Sequence, residues 1–245
     1  MNSRQRNSGT SDDQKGNTRI PGADRSDKTS GLSRLDFLEA LFGRYFELRK
    51  GFIMVKSAAQ LNEKASTRHF PKIETLAKES FPGHHQVFFG VCPRENVRPG
   101  PESIAYCTAL WTTLEIASED QRIEGDYFSD DKTAARAVRS FPLRPSIIVE
   151  SGRSLHLYWV LKRPTKVERA SQLEELLNRI HKYFIGSQPL RMDAMLRLPD
   201  TEGFNELGAI GPCKVKFIGV DFSYSIEEVR NGLALIDRCR REVGL

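Results

Sequence analysis

The stretch PSIIVESGRSLHLYWVL, residues 145–161, constrains the fold more than any other part of the chain. Two runs of aliphatic, β-branched and aromatic residues flank the turn Ser151-Gly152-Arg153-Ser154. A short polar turn with glycine between two such runs specifies a β-hairpin. A hairpin commits the chain to a sheet with at least one buried side. Side chains along a strand alternate between faces. Leu155, Leu157, Trp159 and Leu161 are therefore expected in the core, and His156, Tyr158 and Val160 on a solvent-facing side.

Further runs of strand character are VFFGVC (87–92), TALWTTLEIA (108–117) and KVKFIGV (214–220). Helices are expected around them. Leu35, Leu38, Leu41, Phe42, Tyr45 and Phe46 recur at helical spacing behind the capping pair Ser33 and Asp36. Residues 73–78 and 131–139 read as shorter helices. Thr165 with Glu168 has the form of a capping box, opening a helix whose apolar face runs through Leu173, Leu176, Leu177, Ile180 and Phe184, with Gly186 as its stop. Ser225 with Glu228 opens a last helix carrying Val229, Leu233 and Ile236. Strand runs with helices to one side predict an α+β class.

At 245 residues the chain suits one large domain or a domain with a small appendage. Residues 1–31 have too few apolar side chains to offset chain entropy and are expected to be a disordered polar tail, leaving 32–245 as the folded domain. No apolar run is long enough to span a bilayer, and the N-terminus lacks the apolar segment of a signal peptide. A cytoplasmic protein without a membrane partner is expected. The four cysteines, Cys92, Cys107, Cys213 and Cys239, show no zinc-ligand spacing, so they read as reduced thiols. A net charge of +5 is compatible with a nucleic-acid partner and does not demand one. There is no GxxxxGK[ST] loop and hence no ATPase motor in this sequence.

Chemistry-bearing residues gather in three places. The hairpin turn offers the Ser151 hydroxyl, a permissive Gly152, the Arg153 guanidinium and His156 at the strand entry, a donor set able to hold a phosphate. A histidine on a half-solvated sheet face is the simpler alternative. Glu115 shares a face with Trp111 and Thr113, and meets His156 if this strand lies beside the hairpin; a carboxylate there can hold a divalent metal or simply be solvated. In RMDAMLRLPDTEGFN (191–205), Asp193 is a second candidate metal ligand, Arg197 a candidate phosphate contact, and PDT a turn.

Taken in order, VFFGVCPR (87–94), LWTTLEIA (110–117), PSIIVESGRSLHLYWVLKRPT (145–165), LRLPDTEGFN (196–205) and YSIEEV (224–229) resemble the primase domain of the archaeo-eukaryotic primase–polymerase (AEP) superfamily. Within it the chain is most similar to RepB-like replication primases of plasmids, phages and integrated elements. The resemblance implies an RRM-like sheet packed with a second α/β unit. It implies nucleotidyl transfer from a nucleoside triphosphate on a single-stranded DNA template, two Mg²⁺ or Mn²⁺ ions, and a separate replicative helicase as partner. Carried over residue by residue, His156 is the triphosphate contact and a catalytic residue, with Ser151, Gly152 and Arg153 shaping its loop and Tyr158 beside it. Glu115 and Asp193 are the catalytic metal ligands, and Arg197 and Arg94 bind substrate. The chain departs from the family pattern at Thr113 and Glu115, where family members carry an acidic pair of aspartates, and at Asp200, where they carry glycine.

Two functional readings follow. One is a DNA primase or primase–polymerase, with nearby acids such as Glu119, Asp120, Glu124, Asp126, Asp130 and Asp131 compensating for Thr113. The other is a non-catalytic nucleotide- or nucleic-acid-binding module that keeps the fold and the His156 loop. A nicking enzyme is a weaker match, since HLY lacks the second metal-binding histidine such enzymes use.

Overall fold

A computed structural model describes residues 31–59, 65–98, 100–117, 127–152, 154–168, 170–184, 189–205, 208–209, 211–219 and 221–242. The expected polar tail, apart from Gly31, lies outside the described residues, as does Gly186.

In the first half, α1 (Arg34–Leu48) precedes β1 (Ile53–Ala58), β2 (Ser66–Phe70), the short α2 (Ile73–Ala77) and β3 (Gln86–Gly90). Then come β4 (Tyr106–Ile116), β5 (Tyr127–Phe128), α3 (Asp131–Ser140), the hairpin strands β6 (Ile147–Ser151) and β7 (Ser154–Lys166), and α4 (Ala170–Tyr183). The chain closes with β8 (Met195–Arg197), the two-residue strands β9 (Phe204–Asn205) and β10 (Gly208–Ala209), β11 (Cys213–Ile218) and α5 (Ile226–Glu242).

Two sheets result, in the orders β2-β1-β3-β8 and β11-β6-β7-β4-β5, with β9 and β10 as a separate ladder. Pairing is antiparallel except between β4 and β5. The long β4 does lie beside the hairpin, with Thr113 opposite His156 and Glu115 opposite Ser154.

Helix α1 begins at a capping box, in which Ser33 accepts from the Asp36 amide and Asp36 accepts from the Ser33 amide. Its buried stripe lies between the sheets: the Phe37 ring meets Phe89 of β3 at 5.4 Å and Tyr158 of β7 at 5.6 Å, both edge-on. This corrects the expected solvent-facing side of β7, where His156 is 4% exposed and Tyr158 0%. Alternation separates two faces but does not say what covers either. Here α1 and the first sheet cover one, and the α4 side covers the other.

On that other face Trp159 sits among Phe141 and Phe184 and donates from Nε1 to the Leu143 carbonyl at 2.9 Å. Thr112 Oγ1 and His181 Nδ1 are hydrogen-bonded at 2.7 Å, tying β4 to α4. Burying each such aromatic contributes about 1.5–3 kcal/mol. The capping box expected at Thr165 and Glu168 does not form. Strand β7 instead continues to Lys166, paired with Tyr106 of β4, and Glu168 turns to Lys166. Among the described residues no helix is long and apolar enough to cross a membrane.

Candidate functional site

The two sheets meet where the chain leaves β8. The Leu198 amide donates to the Val87 carbonyl (2.9 Å), the Asp200 amide to the Cys213 carbonyl (2.8 Å), and the Cys213 amide to the Thr201 carbonyl (2.8 Å). The edge strand of one sheet is thus handed to the edge strand of the other through a single turn. Asp200 sits at φ 58, the left-handed region. Asp and Asn tolerate that region better than most residues. Its Oδ2 accepts from the Arg34 amide at the start of α1 (2.7 Å). Buried Arg34 closes the junction by donating to the carbonyls of Pro199, Asp200 and Glu79 at 2.9, 2.7 and 2.7 Å. The sequence offers no local signal for this Arg34 role, because its partners are remote in the chain.

At the hairpin end of the second sheet, residues paired across neighbouring strands share a face. One row runs Thr113, His156, Val149, Val215, and the next runs Glu115, Ser154, Ser151, Cys213. Gly152 makes the turn at φ 68, which a side chain would strain. Arg197, the last residue of β8, reaches into this face from the other sheet. Its Nη1 donates to Ser151 Oγ (3.3 Å) and its Nη2 to the Gly211 carbonyl (2.9 Å). Arg197 as a whole is 5% exposed.

Two buried polar atoms here have no partner: Nε of Arg197 and Nδ1 of His156. Burial, and then the nearby Arg197 charge, pull the His156 pKa down to about 3, so the ring is neutral at physiological pH. Burial pushes the Cys213 thiol up to about 12, leaving it protonated and unreactive. Arg197 is the buried charge beside His156, and the Glu202 carboxylate acts on it through space.

The remaining predicted residues are placed as follows. Glu115 is exposed at the margin of the same face, and desolvation raises its pKa above the usual carboxylate range. Neighbouring strands stand roughly 4.8 Å apart, so its backbone is about 10 Å from Ser151. Asp193 lies in the turn before β8, ion-paired with Arg191 Nε at 3.2 Å and in the field of Arg94. Arg94, 2% exposed, donates to Ser103 Oγ and the Gly100 carbonyl and so staples its own loop. Tyr158 is core, against Phe37. Arg153 lies outside the described residues, as do Glu119, Asp120, Glu124 and Asp126. Asp130 caps α3 by accepting from the Thr133 amide at 2.7 Å. Among the described residues, no group of three His, Cys, Asp or Glu side chains is placed to hold a metal ion.

The AEP domain of the cyanophage S-2L primase–polymerase superposes with a TM-score of 0.53, over 82% of this chain and 96% of its own, at 14% identity. The fold is that of an AEP domain. The expected α+β class with two packed units is therefore the observed one. The primase RepB′ matches with a TM-score of 0.45 at 11% identity, over 86% of this chain and 66% of its own. Its catalytic domain in complex with initiator DNA gives 0.44 at 11%, over 86% and 98%. No family model and no curated protein matches the sequence. At these identities the AEP likeness is one of fold, and activity has to be argued from the site.

Proposed function

We propose that the chain holds the phosphates of a nucleoside triphosphate between His156, Arg197 and the hairpin turn, and that it serves as a primase-like nucleotidyltransferase domain in replicating a plasmid, phage or integrated element. Its template is single-stranded DNA, and unwinding falls to a separate helicase. The observation that carries this reading is Arg197: buried, unsatisfied at Nε, and with no carboxylate within ion-pair distance among the described residues, Glu202 acting on it only through space. A buried charge without a directly bonded counter-ion is costly, and a phosphate oxygen offsets that cost with a charge-assisted bond. Neutral His156 adds a ring N–H, in the tautomer protonated at Nδ1, without adding charge. The Ser151 hydroxyl holds the guanidinium in place.

In such a transfer Glu115 and Asp193 would be the residues to hold Mg²⁺ or Mn²⁺, which would supply polarisation of the attacking hydroxyl and charge neutralisation on the leaving pyrophosphate. The described residues do not by themselves fit a two-metal centre. Glu115 is the one carboxylate in the two rows around His156, Thr113 is neutral, and Asp193 is engaged by Arg191. Transfer therefore needs a further acid, and the candidates at 119–126 follow β4 in the chain. Thr113, directly opposite His156, favours a second reading: a nucleotide-binding module that keeps the AEP fold without the transfer step.

Incorporation of labelled nucleotide on primed and unprimed single-stranded DNA, in Mg²⁺ and in Mn²⁺, separates the two. A transferase loses about 10²–10³ of its rate in His156→Ala and Arg197→Ala, and also loses activity in Asp193→Ala. No incorporation by the wild type, with nucleotide binding that depends on His156, selects the module. Neither incorporation nor binding sinks both.

A further inference from the structure

Helix α4 covers the face of the second sheet that is turned away from His156. Its His181 is tied to Thr112 of β4, whereas the next residue, Thr113, is the one opposite His156. Side chains alternate along a strand, so the sheet itself separates α4 from the nucleotide site. Helix α5 joins α4 there. Arg179 of α4 binds Asp237 of α5 at 2.6 Å, and both helices line a groove of about 200 Å³.

This end of the helix pair is basic. Residues 179–183 and 236–242 carry Arg179, Lys182, Arg238, Arg240 and Arg241 against Asp237 and Glu242, a net +3 where the whole chain has +5. Lys182, Arg238, Arg240 and Arg241 are exposed and form no ion pair among the described residues. Asp237 is spent on Arg179, and Glu174, further back on α4, accepts from the Met192 amide at 3.1 Å. Lys182 and Arg240 line the groove, while Arg238 and Arg241, three residues apart, share an exposed side of α5.

A row of unpaired cations fixed on two helices fits a partner with repeated negative charge. Three of the four are arginines, whose planar fork matches phosphate oxygens two at a time. The groove is smaller than the roughly 300 Å³ at which small-ligand sites begin, so it suits the edge of an extended partner. It also lacks a stacking platform. The Tyr183 ring packs edge-on against Phe141 and Phe184, both at 4.9 Å, and the Arg240 guanidinium stands over it at 5.8 Å. Single strands are held by cationic grooves with free aromatic faces. A duplex presents its phosphates alone, at about twice the charge density of one strand.

We propose that the α4–α5 surface binds the phosphate backbone of duplex DNA, without reading its sequence, on the side of the sheet opposite the nucleotide site. The surface anchors the chain on DNA and delivers no strand to His156. It goes beyond the nucleotide reading and does not depend on it.

The test is fluorescence anisotropy of the wild-type full chain with labelled DNA duplexes of two unrelated sequences and with the corresponding single strands. Both duplexes are expected to bind alike and more tightly than the single strands, with a log–log salt slope of about −4. The combined variant Lys182→Gln, Arg238→Gln, Arg240→Gln and Arg241→Gln, checked for native circular dichroism, should weaken duplex binding at least about tenfold and flatten the slope by about 3. The same loss of charge at exposed positions elsewhere, Lys50→Gln, Lys56→Gln, Lys72→Gln and Lys78→Gln, should change affinity by less than about threefold. If the first variant loses its fold, Arg238→Gln and Arg241→Gln made singly carry the test, each flattening the slope by about 1. Equal weakening by the two charge-matched variants means attraction by overall charge and overturns the assignment. So does tighter binding of the single strands, or absence of duplex binding by the wild type. Displacement of the duplex by poly-glutamate at equal charge assigns the surface to acidic proteins and overturns it as well. No nucleotide is present in these titrations, so their failure leaves the His156 site to its own incorporation and binding assays.

Discussion

His156 is a buried titratable group next to a fixed cation, and that has a measurable cost in acid. Its folded-state pKa is about 3, against an ordinary 6.5. The unfolded chain therefore takes up a proton that the folded chain refuses. The stabilising contribution of neutral His156 is complete above about 6.5 and is lost as pH falls towards 3, at up to about 1.4 kcal/mol per pH unit. Arg197 is the charged group facing the ring, and Thr113 and Val149 are neutral. Urea midpoints followed from neutral pH into this window should fall more steeply for the wild type than for His156→Gln; parallel curves would mean that the ring titrates normally. Asp200 makes a second case at this scale. Asp200→Ala keeps the left-handed strain and loses the acceptor for the Arg34 amide, so it should cost about 2 kcal/mol. Asp200→Gly loses the same acceptor but relieves the strain, and should cost less than about 1 kcal/mol. Urea denaturation of the two variants checks the order.

Elements whose information is local were legible in the sequence. The hairpin, α1 with its Ser33–Asp36 box, and α5 with its Ser225–Glu228 box each carry their signal within a few residues. In α5, Ser225 Oγ accepts from the Glu228 amide at 3.1 Å, and Ser225→Ala should lower stability by about 1 kcal/mol in thermal or urea unfolding. Elements defined by their partners were not legible. Strand β1 reads IMVKSA with no clean alternation, β2 reads STRHF and is mostly exposed, and β8 has three residues; each is a strand because a neighbour pairs with it. The Thr165–Glu168 signal failed for the same reason, since ladder bonds to β4 outcompeted a local cap. At the site, residue types able to hold a phosphate could be read at the hairpin and at Arg197. The burial of His156 and the structural roles of Arg94 and Arg34 could not, because each depends on a layer contributed from elsewhere in the chain.

At the scale of the whole molecule, two sheets share one helix and one turn. Strand β11 is the outer edge of the second sheet, and Lys214 and Lys216 stand exposed along it, which discourages edge-to-edge pairing with another chain. The first residue of the same strand, Cys213, pairs with Thr201, and there Arg197 crosses from the first sheet to the hairpin of the second. A phosphate bound to Arg197 and His156 touches both sheets at once. Ligand at about 100 times its dissociation constant should raise global stability by about 2.7 kcal/mol, read as an upward shift of the melting temperature that is absent in Arg197→Lys. The same crossing has a kinetic side. The amides of Asp200 and Cys213 donate across this junction and that of Leu198 donates to Val87 of β3 beside it, so the three should exchange with solvent deuterium as one cooperative unit, and bound phosphate should slow all of them together while leaving the far ends of both sheets unchanged.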